Sequence, residues 1–314
     1  MAPEEGMAFT EEQVIELLAQ VFASSDPRVL IGIGDDAALV SGAPQQILTT
    51  DVAVEGVHFR TDWSSAYEIG RRIAAANIAD ILSMNGQCDY LLVAATLTGK
   101  ESLDWIRDLG QGIADQAKEA GAIVVGGDVA RSTTLSLAVT AVGHGEKIIS
   151  RSGAQVGDTI YLSSLTGWSA AGLEILNRKL DLSGSAAAKA LNEYRAPTLD
   201  LHTDFSKATS MADVSDAVLI QGRQMAKASK VGFSLHLTLI ESADEFDELH
   251  KLAQEMGAEV LDWILQGGED HALLATGKDL PGIPIGSVYE GSGISLVHNM
   301  NEIEMAPVAW SHFQ

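Results

Sequence analysis

Residues 90–128, YLLVAATLTGKESLDWIRDLGQGIADQAKEAGAIVVGGD, carry the pattern from which the architecture is read. Tyr90 to Leu97 is an apolar, β-prone run that predicts a strand. Ser102 to Ala120 has helical apolar spacing, and Ala122 to Val125 is a second short strand that stops at Gly126-Gly127-Asp128. A strand, helix, strand succession belongs to mixed α/β chains rather than to all-α or all-β ones. Working outward, Glu11 to Phe22 predicts a first helix with Val14, Leu17, Leu18 and Val21 on one side. Val29 to Ile33 and Gln46 to Thr50 predict strands that finish at Gly34-Asp35-Asp36 and Thr49-Thr50-Asp51, and Arg71 to Asn85 predicts a helix. Leu135 to Val142 predicts another strand. The turn-rich stretch Lys147 to Asp158 then marks a domain boundary, giving domains of residues 1–149 and 150–314. Beyond it the pattern predicts strands at Thr159 to Ser163, Gly232 to Leu239 and Ala272 to Thr276. Helices are predicted after Trp168, from Ser215 to Ser229 and from Ala243 to Met256.

Composition narrows the function. The 314 residues are 46% hydrophobic, enough for two packed domains or one large one. With 43 acids against 20 bases the formal charge is -23, which repels nucleic acid and anionic membrane surfaces. No stretch approaches the roughly 18 uninterrupted apolar residues of a membrane span. The acidic Met1 to Thr10 lacks a signal-peptide layout, so a cytoplasmic protein is expected. Cys88 is the single cysteine, which excludes an intrachain disulfide and a cysteine-rich zinc site. There is no His-Glu-x-x-His pair, no Gly-x4-Gly-Lys-Ser/Thr loop and no protein-kinase glycine loop; one Gly-x-Gly at Gly32 to Gly34 is weak support for a dinucleotide site.

Five short acidic motifs stand out instead: Gly34-Asp35-Asp36, Thr49-Thr50-Asp51, Asn77-Ile78-Ala79-Asp80, Gly126-Gly127-Asp128 and Asp213-Val214-Ser215-Asp216. Hard divalent cations take oxygen ligands, and Mg2+ works through a few carboxylates together with substrate phosphates, so the set points to phosphoryl transfer. Taken singly, each has a plainer explanation: turn formation for Asp35-Asp36 and Asp128, helix capping for Asp51, Asp213, Ser215 and Asp216. Asp80 is harder to explain away. It shares a helical stripe with Ile73, Asn77, Ile81 and Met84, and a carboxylate among apolar neighbours needs a cation or a hydrogen-bond network. Arg131 and Arg151 offer planar forks suited to phosphate, which a chain this acidic otherwise repels.

The order Gly-Ile-Gly-Asp-Asp-Ala-Ala, Thr-Thr-Asp-x-x-Val-Glu-Gly-Val-His-Phe, Asn-x-x-Asp, Gly-Gly-Asp, Arg-Ser-Gly-Ala, Asp-x-Ser-Asp and Gly-Gly-Glu-Asp resembles the thiamine-monophosphate kinase family, from about Ile31 to Phe313. That family sits in the superfamily of aminoimidazole-ribonucleotide synthetase, hydrogenase-maturation factor and selenophosphate synthetase. The resemblance implies an α/β (α+β), two-domain aminoimidazole-ribonucleotide synthetase-like fold with mixed-sheet N-terminal and C-terminal domains, generally a homodimer. The N-terminal domain would bind ATP and magnesium and dimerise, and the C-terminal domain would complete the site. The implied reaction is Mg-dependent, in-line transfer of the ATP γ-phosphoryl group to thiamine monophosphate. By motif position, Asp36, Thr50, Asp51, Asp80, Asp128, Asp213 and Asp216 correspond to magnesium ligands. Gly127, Asp128, Arg151 and Ser215 correspond to ATP contacts, and His58, Glu269 and Trp310 to places that hold the thiamine phosphate. Asp51, Asp128, Asp216 and Arg151 would be the catalytic set. The chain departs from the usual motifs at Trp168, Ala217, Gly222 and His271, the last standing where Tyr is usual. Two other readings stay open: a related ATP-dependent enzyme with another acceptor, and a catalytically silent ATP- or metal-binding protein.

Overall fold

A computed structural model describes residues 9–34 and 37–303. The chain forms two compact units, one of residues up to Ile81 together with Gly86–Glu146, the other of Leu82–Asn85 together with Lys147 onward.

In the first unit a four-stranded sheet has the order β3 (Ile47–Val54), β6 (Ser136–His144), β4 (Gln87–Leu97), β5 (Ile123–Arg131), with β4 and β5 parallel and the other pairs antiparallel. The parallel pair is the strand, helix, strand segment of the sequence, joined by α3 (Leu103–Glu119), whose N-terminus is capped by Ser102. A capping box of Thr10 and Gln13 starts α1 (Glu11–Val21), and a two-stranded hairpin, β1 (Val29–Ile31) and β2 (Leu39–Val40), precedes the sheet. Helix α2 (Ala66–Ser83) presses so closely on α3 that a Cβ at Gly70 would lie 2.1 Å from the Leu109 carbonyl oxygen, and one at Gly112 would lie 2.1 Å from that of Tyr67. Only glycine permits that approach, and it locks the two helices in register.

Two strands outrun the sequence reading. β3 was expected to end at Thr50 and β5 at Val125, yet β3 continues to Val54 and β5 to Arg131, so Asp51 and Asp128 lie inside strands rather than after them. Ladder pairing to β6 and β4 carries each strand through its polar residues. Glycine is required within β5, since a Cβ at Gly127 would lie 1.8 Å from the Val93 carbonyl oxygen.

The second unit holds a seven-stranded mixed sheet ordered β13 (Asn301–Ile303), β12 (Gly293–His298), β9 (Gly232–His236), β11 (Ile283–Tyr289), β7 (Thr159–Leu162), β10 (Leu273–Gly277), β8 (Ser210–Asp213), in which only β12 and β9 run parallel. Its core is built from Ile160, Leu162, Phe233, Leu235, Leu274 and Ile285 of the sheet and the apolar stripes of the helices laid against it. These include α4 (Trp168–Arg178), α5 (Ser185–Arg195), α6 (Val218–Ser229), α8 (Phe246–Met256) and α9 (Val260–Gln266); a short α7 (Leu237–Glu241) takes over where β9 was expected to continue.

Candidate active site

In the first unit Asp51 and Asp80 lie at the β3 edge of the sheet. β3 is an edge strand, and the outward backbone N–H of Asp51 donates to Asn77 Oδ1 of α2 at 3.0 Å. Asn77 is fully buried and donates its amide to the Ile73 carbonyl at 2.9 Å. One turn on, Asp80 Oδ2 accepts from Thr49 Oγ1 at 2.5 Å, which supplies the partner that its stripe position demands. Strand alternation puts Thr49 and Asp51 on one face and Thr50 on the other. The Thr50 hydroxyl is taken up there, donating to the Val139 carbonyl and accepting from Thr140 Oγ1, so it is not brought to the Asp51 carboxylate. In the turn after β3, His58 Nδ1 accepts from the Val54 N–H at 3.1 Å, so a neutral ring carries its proton on Nε2. Asp128 is exposed on β5, at the opposite edge from Asp51. Gly127 and Asp128 border an apolar cavity of about 460 Å³ walled by Leu18 and Phe22 of α1, Leu109 and Gly110 of α3, and Val93 of β4.

In the second unit the polar residues converge between β8 and α6. Asp213 is buried and closes β8. Capping does not account for its neighbours: α6 begins at Val218, later than expected, and its N-cap is Ala217 without any side-chain cap. Ser215 and Asp216 instead precede the helix. Gln221 braces them, its Oε1 accepting from the Ala217 N–H at 2.9 Å while Nε2 donates to Asp216 Oδ2 at 3.2 Å and Ser215 Oγ at 3.4 Å. The loop Gly268 to Ala272 folds over this turn, with Glu269 N–H donating to the Ser215 carbonyl at 2.7 Å and His271 N–H to that of Val214 at 3.0 Å. His271 Nδ1 lies 3.3 Å from Asp213 Oδ2, and Nε2 lies 3.8 Å from Glu269 Oε2. Burial disfavours charge on this ring, but Asp213 and Glu269 outweigh it and hold its pKa above the usual histidine range. Asp270 turns the other way: its oxygens accept from the Gly167 and Ser169 N–H groups and cap α4, while burial pushes its carboxyl up to about 6. Arg151 is exposed and donates to Gln224 Oε1 at 2.8 Å.

Asp51 and Asp80 are thus brought together through α2, and Asp213, Ser215, Asp216 and Glu269 through one loop. Asp36 and Trp310 lie outside the described residues. Among the described residues no three of His, Cys, Asp and Glu form a ready metal cluster. The donor chemistry nevertheless fits a hard cation, since the candidate donors are carboxylates and no thiolate or imidazole pair competes.

Residues 34–144 match the family described as AIR synthase related protein, N-terminal domain. Among named relatives, the thiamine-monophosphate kinase of Mycobacterium tuberculosis is 33% identical over 250 residues, which cover 79% of this chain and 74% of the relative. The chain belongs to the thiamine-monophosphate kinase family. Solved structures agree: the thiamine-monophosphate kinase from Stenotrophomonas maltophilia K279a is similar with a TM-score of 0.78 and 28% identity, covering 92% of this chain and 96% of that one. A structure described as AaThiL complexed with AMPPCP and TMP gives a TM-score of 0.77 at 26% identity, covering 100% of this chain and 99% of that one. The fold expected from the sequence is therefore the observed one, mixed sheets in both parts. Four residues outside the site candidates read from the sequence support the acids of this site: Thr49, Asn77, Gln221 and His271. The stripe shared by Asn77 and Asp80 was a signal for one of them; nothing in sequence spacing points to Gln221.

Proposed function

We propose that the chain transfers the γ-phosphoryl group of ATP to thiamine monophosphate, giving thiamine diphosphate and ADP. One observation carries this: the ordered carboxylate motifs that define the resemblance lie in a chain 33% identical to a named kinase. We assign Asp51, Asp80, Asp128, Asp213 and Asp216, with Asp36 by sequence position, to holding Mg2+, and leave out Thr50 because its hydroxyl is engaged elsewhere. Bound Mg2+ would supply charge neutralisation on the phosphates. The need for it is large: two dianionic phosphates about 5 Å apart at an effective dielectric of about 20 repel by roughly 13 kcal/mol.

The remaining roles fall to the protein's own groups. The apolar cavity beside Gly127 and Asp128 takes the nucleotide base, and Gly127, whose missing side chain lets β5 lie against Val93 of β4, lines it as a nucleotide contact. Arg151 and Ser215 contact the nucleotide phosphates. His58 offers Nε2–H to the acceptor phosphate, with Glu269 and Trp310 at the thiamine end. The acceptor phosphate has a second pKa of about 6, so at neutral pH it is mostly a dianion and needs little or no general base. Catalysis then rests on positioning and electrostatics.

We also propose a cytoplasmic homodimer. The face of β3 away from α2 exposes Leu48 and Val52, and β4 exposes Leu92, an apolar surface that a second copy would cover. In this reading residues 1–149 bind nucleotide and metal and dimerise, and residues 150–314 complete the site. The test is to incubate the purified chain with ATP, Mg2+ and either thiamine monophosphate or thiamine, and to separate the thiamine species. Thiamine diphosphate formed from the monophosphate alone is expected. No conversion by a folded chain that still binds ATP and Mg2+ refutes the assignment.

A further inference from the structure

We infer that His271 is a positioning residue that sets the metal-binding and acceptor-binding carboxylates, Asp213 and Glu269, through one rigid ring. The inference rests on the function proposed above and concerns a position where the related motif usually carries Tyr. The ring is 3% exposed and stands between the two acids, Nδ1 at 3.3 Å from Asp213 Oδ2 and Nε2 at 3.8 Å from Glu269 Oε2. Nε2 is buried and has no hydrogen-bond partner among the described residues. A buried polar nitrogen left beyond bonding reach is costly, and here it faces a carboxylate that is part exposed and able to close the gap.

The backbone tells the same way. Glu269 has φ 66° and His271 φ 52°, both in the left-handed region; histidine tolerates that region better than most side chains, whereas a glutamate there is uncommon. Such conformations persist where the surroundings over-determine them, and they cluster at functional sites. The surroundings here are the bonds from Glu269 to Ser215 and from His271 to Val214, and the contact of Gly268, where a Cβ would lie 2.4 Å from the carbonyl oxygens of both Ser215 and Asp216. The loop is thereby strapped to the turn that bears Asp213 and Asp216, and the ring direction follows from the strap. A histidine that orients a ligating carboxylate from behind is a known means of tuning a metal site, and loss of such support typically costs 10–100-fold in metal affinity or activity.

Two variants separate the arms of the ring. His271→Asn keeps a donor near the Nδ1 position but falls short of Glu269; His271→Phe keeps the bulk and loses both donors. Mn2+ binding is titrated by electron paramagnetic resonance with a non-hydrolysable ATP analogue present, and kcat and KM for thiamine monophosphate are measured separately, with melting curves to establish folding. His271→Phe is expected to weaken Mn2+ about 10–100-fold. His271→Asn is expected to hold Mn2+ within about threefold of wild type while KM for thiamine monophosphate rises about tenfold and kcat changes less. A folded His271→Phe that binds Mn2+ like wild type overturns the inference; should that variant not fold, an unchanged KM in His271→Asn overturns it. Absence of turnover in the wild type would refute the proposed activity instead, and the Mn2+ titrations, which need no turnover, still decide the role of His271.

Discussion

Replacing Asn77 by alanine removes a side chain that makes two hydrogen bonds from a fully buried position, one to the Ile73 carbonyl and one from the Asp51 N–H. Each bond contributes about 1 kcal/mol net, and the space left by the amide adds about another 1 kcal/mol, for a total near 2–3 kcal/mol. In a folding unit of this size that corresponds to a fall in Tm of roughly 6–10 °C. The functional effect follows from the same geometry. Asp51 sits on an edge strand whose outward N–H is tied to α2 by this amide, so without it the carboxylate is held less firmly relative to Asp80. The concentration of Mg2+ that half-saturates the rate should rise about tenfold or more. Asn77→Asp is the informative companion. Its protonated form reproduces the donor and acceptor of the amide, whereas its ionised form sets a second oxygen against the Ile73 carbonyl, so it should be closer to wild type in stability at pH 5 than at pH 8. Scanning calorimetry and a Mg2+ titration of the rate measure both effects. An Asn77→Ala variant that melts within a degree of wild type and needs no more Mg2+ would refute the reasoning.

Asp51→Asn and Asp216→Asn should each lower turnover by orders of magnitude with little change in melting, because a neutral amide cannot match a carboxylate at a hard cation; near-normal rates at saturating Mg2+ would remove these residues from the metal set. Gly127→Ala should part β5 from β4, since its Cβ would lie 1.8 Å from the Val93 carbonyl oxygen. We expect a loss of about 2–4 kcal/mol in stability together with weaker binding of AMPPCP, and unchanged nucleotide affinity by calorimetry would contradict it. Asp270 gives a pH prediction. Its carboxyl is pushed up to about 6 by burial, so between about pH 4 and pH 6 the folded state holds a proton that the unfolded state has released. Stability from this group is therefore lost as pH rises through that window, by roughly 3 kcal/mol in all. Denaturant titrations should show that component missing in Asp270→Asn; identical pH profiles for variant and wild type would refute it.

Much of the fold was legible because its signals are local. The apolar spacing of α1 and α3 and the β-prone run of β4 appear in the structure within one to three residues of their expected bounds. The errors share a cause. β3 and β5 run on past the apolar stretches that predict them, because pairing with β6 and with β4 carries each through its polar residues. α6 was begun at Ser215, whereas Gln221 draws Ser215 and Asp216 into a turn outside the helix.

The sequence by itself determined the family and the mixed α/β class and singled out the acids assigned above to the metal, because residue types in a fixed order survive without coordinates. Tertiary structure alone decided which atoms those acids meet. Strand alternation turned the Thr50 hydroxyl away from Asp51; α2 brought Asn77 to the Asp51 N–H and set Asp80 against Thr49; and a loop with two left-handed residues put His271 between Asp213 and Glu269. Such contacts join residues as far apart in the chain as 26, 31, 58 and 89 positions. They depend on the direction of each side chain in space, which composition and spacing do not encode.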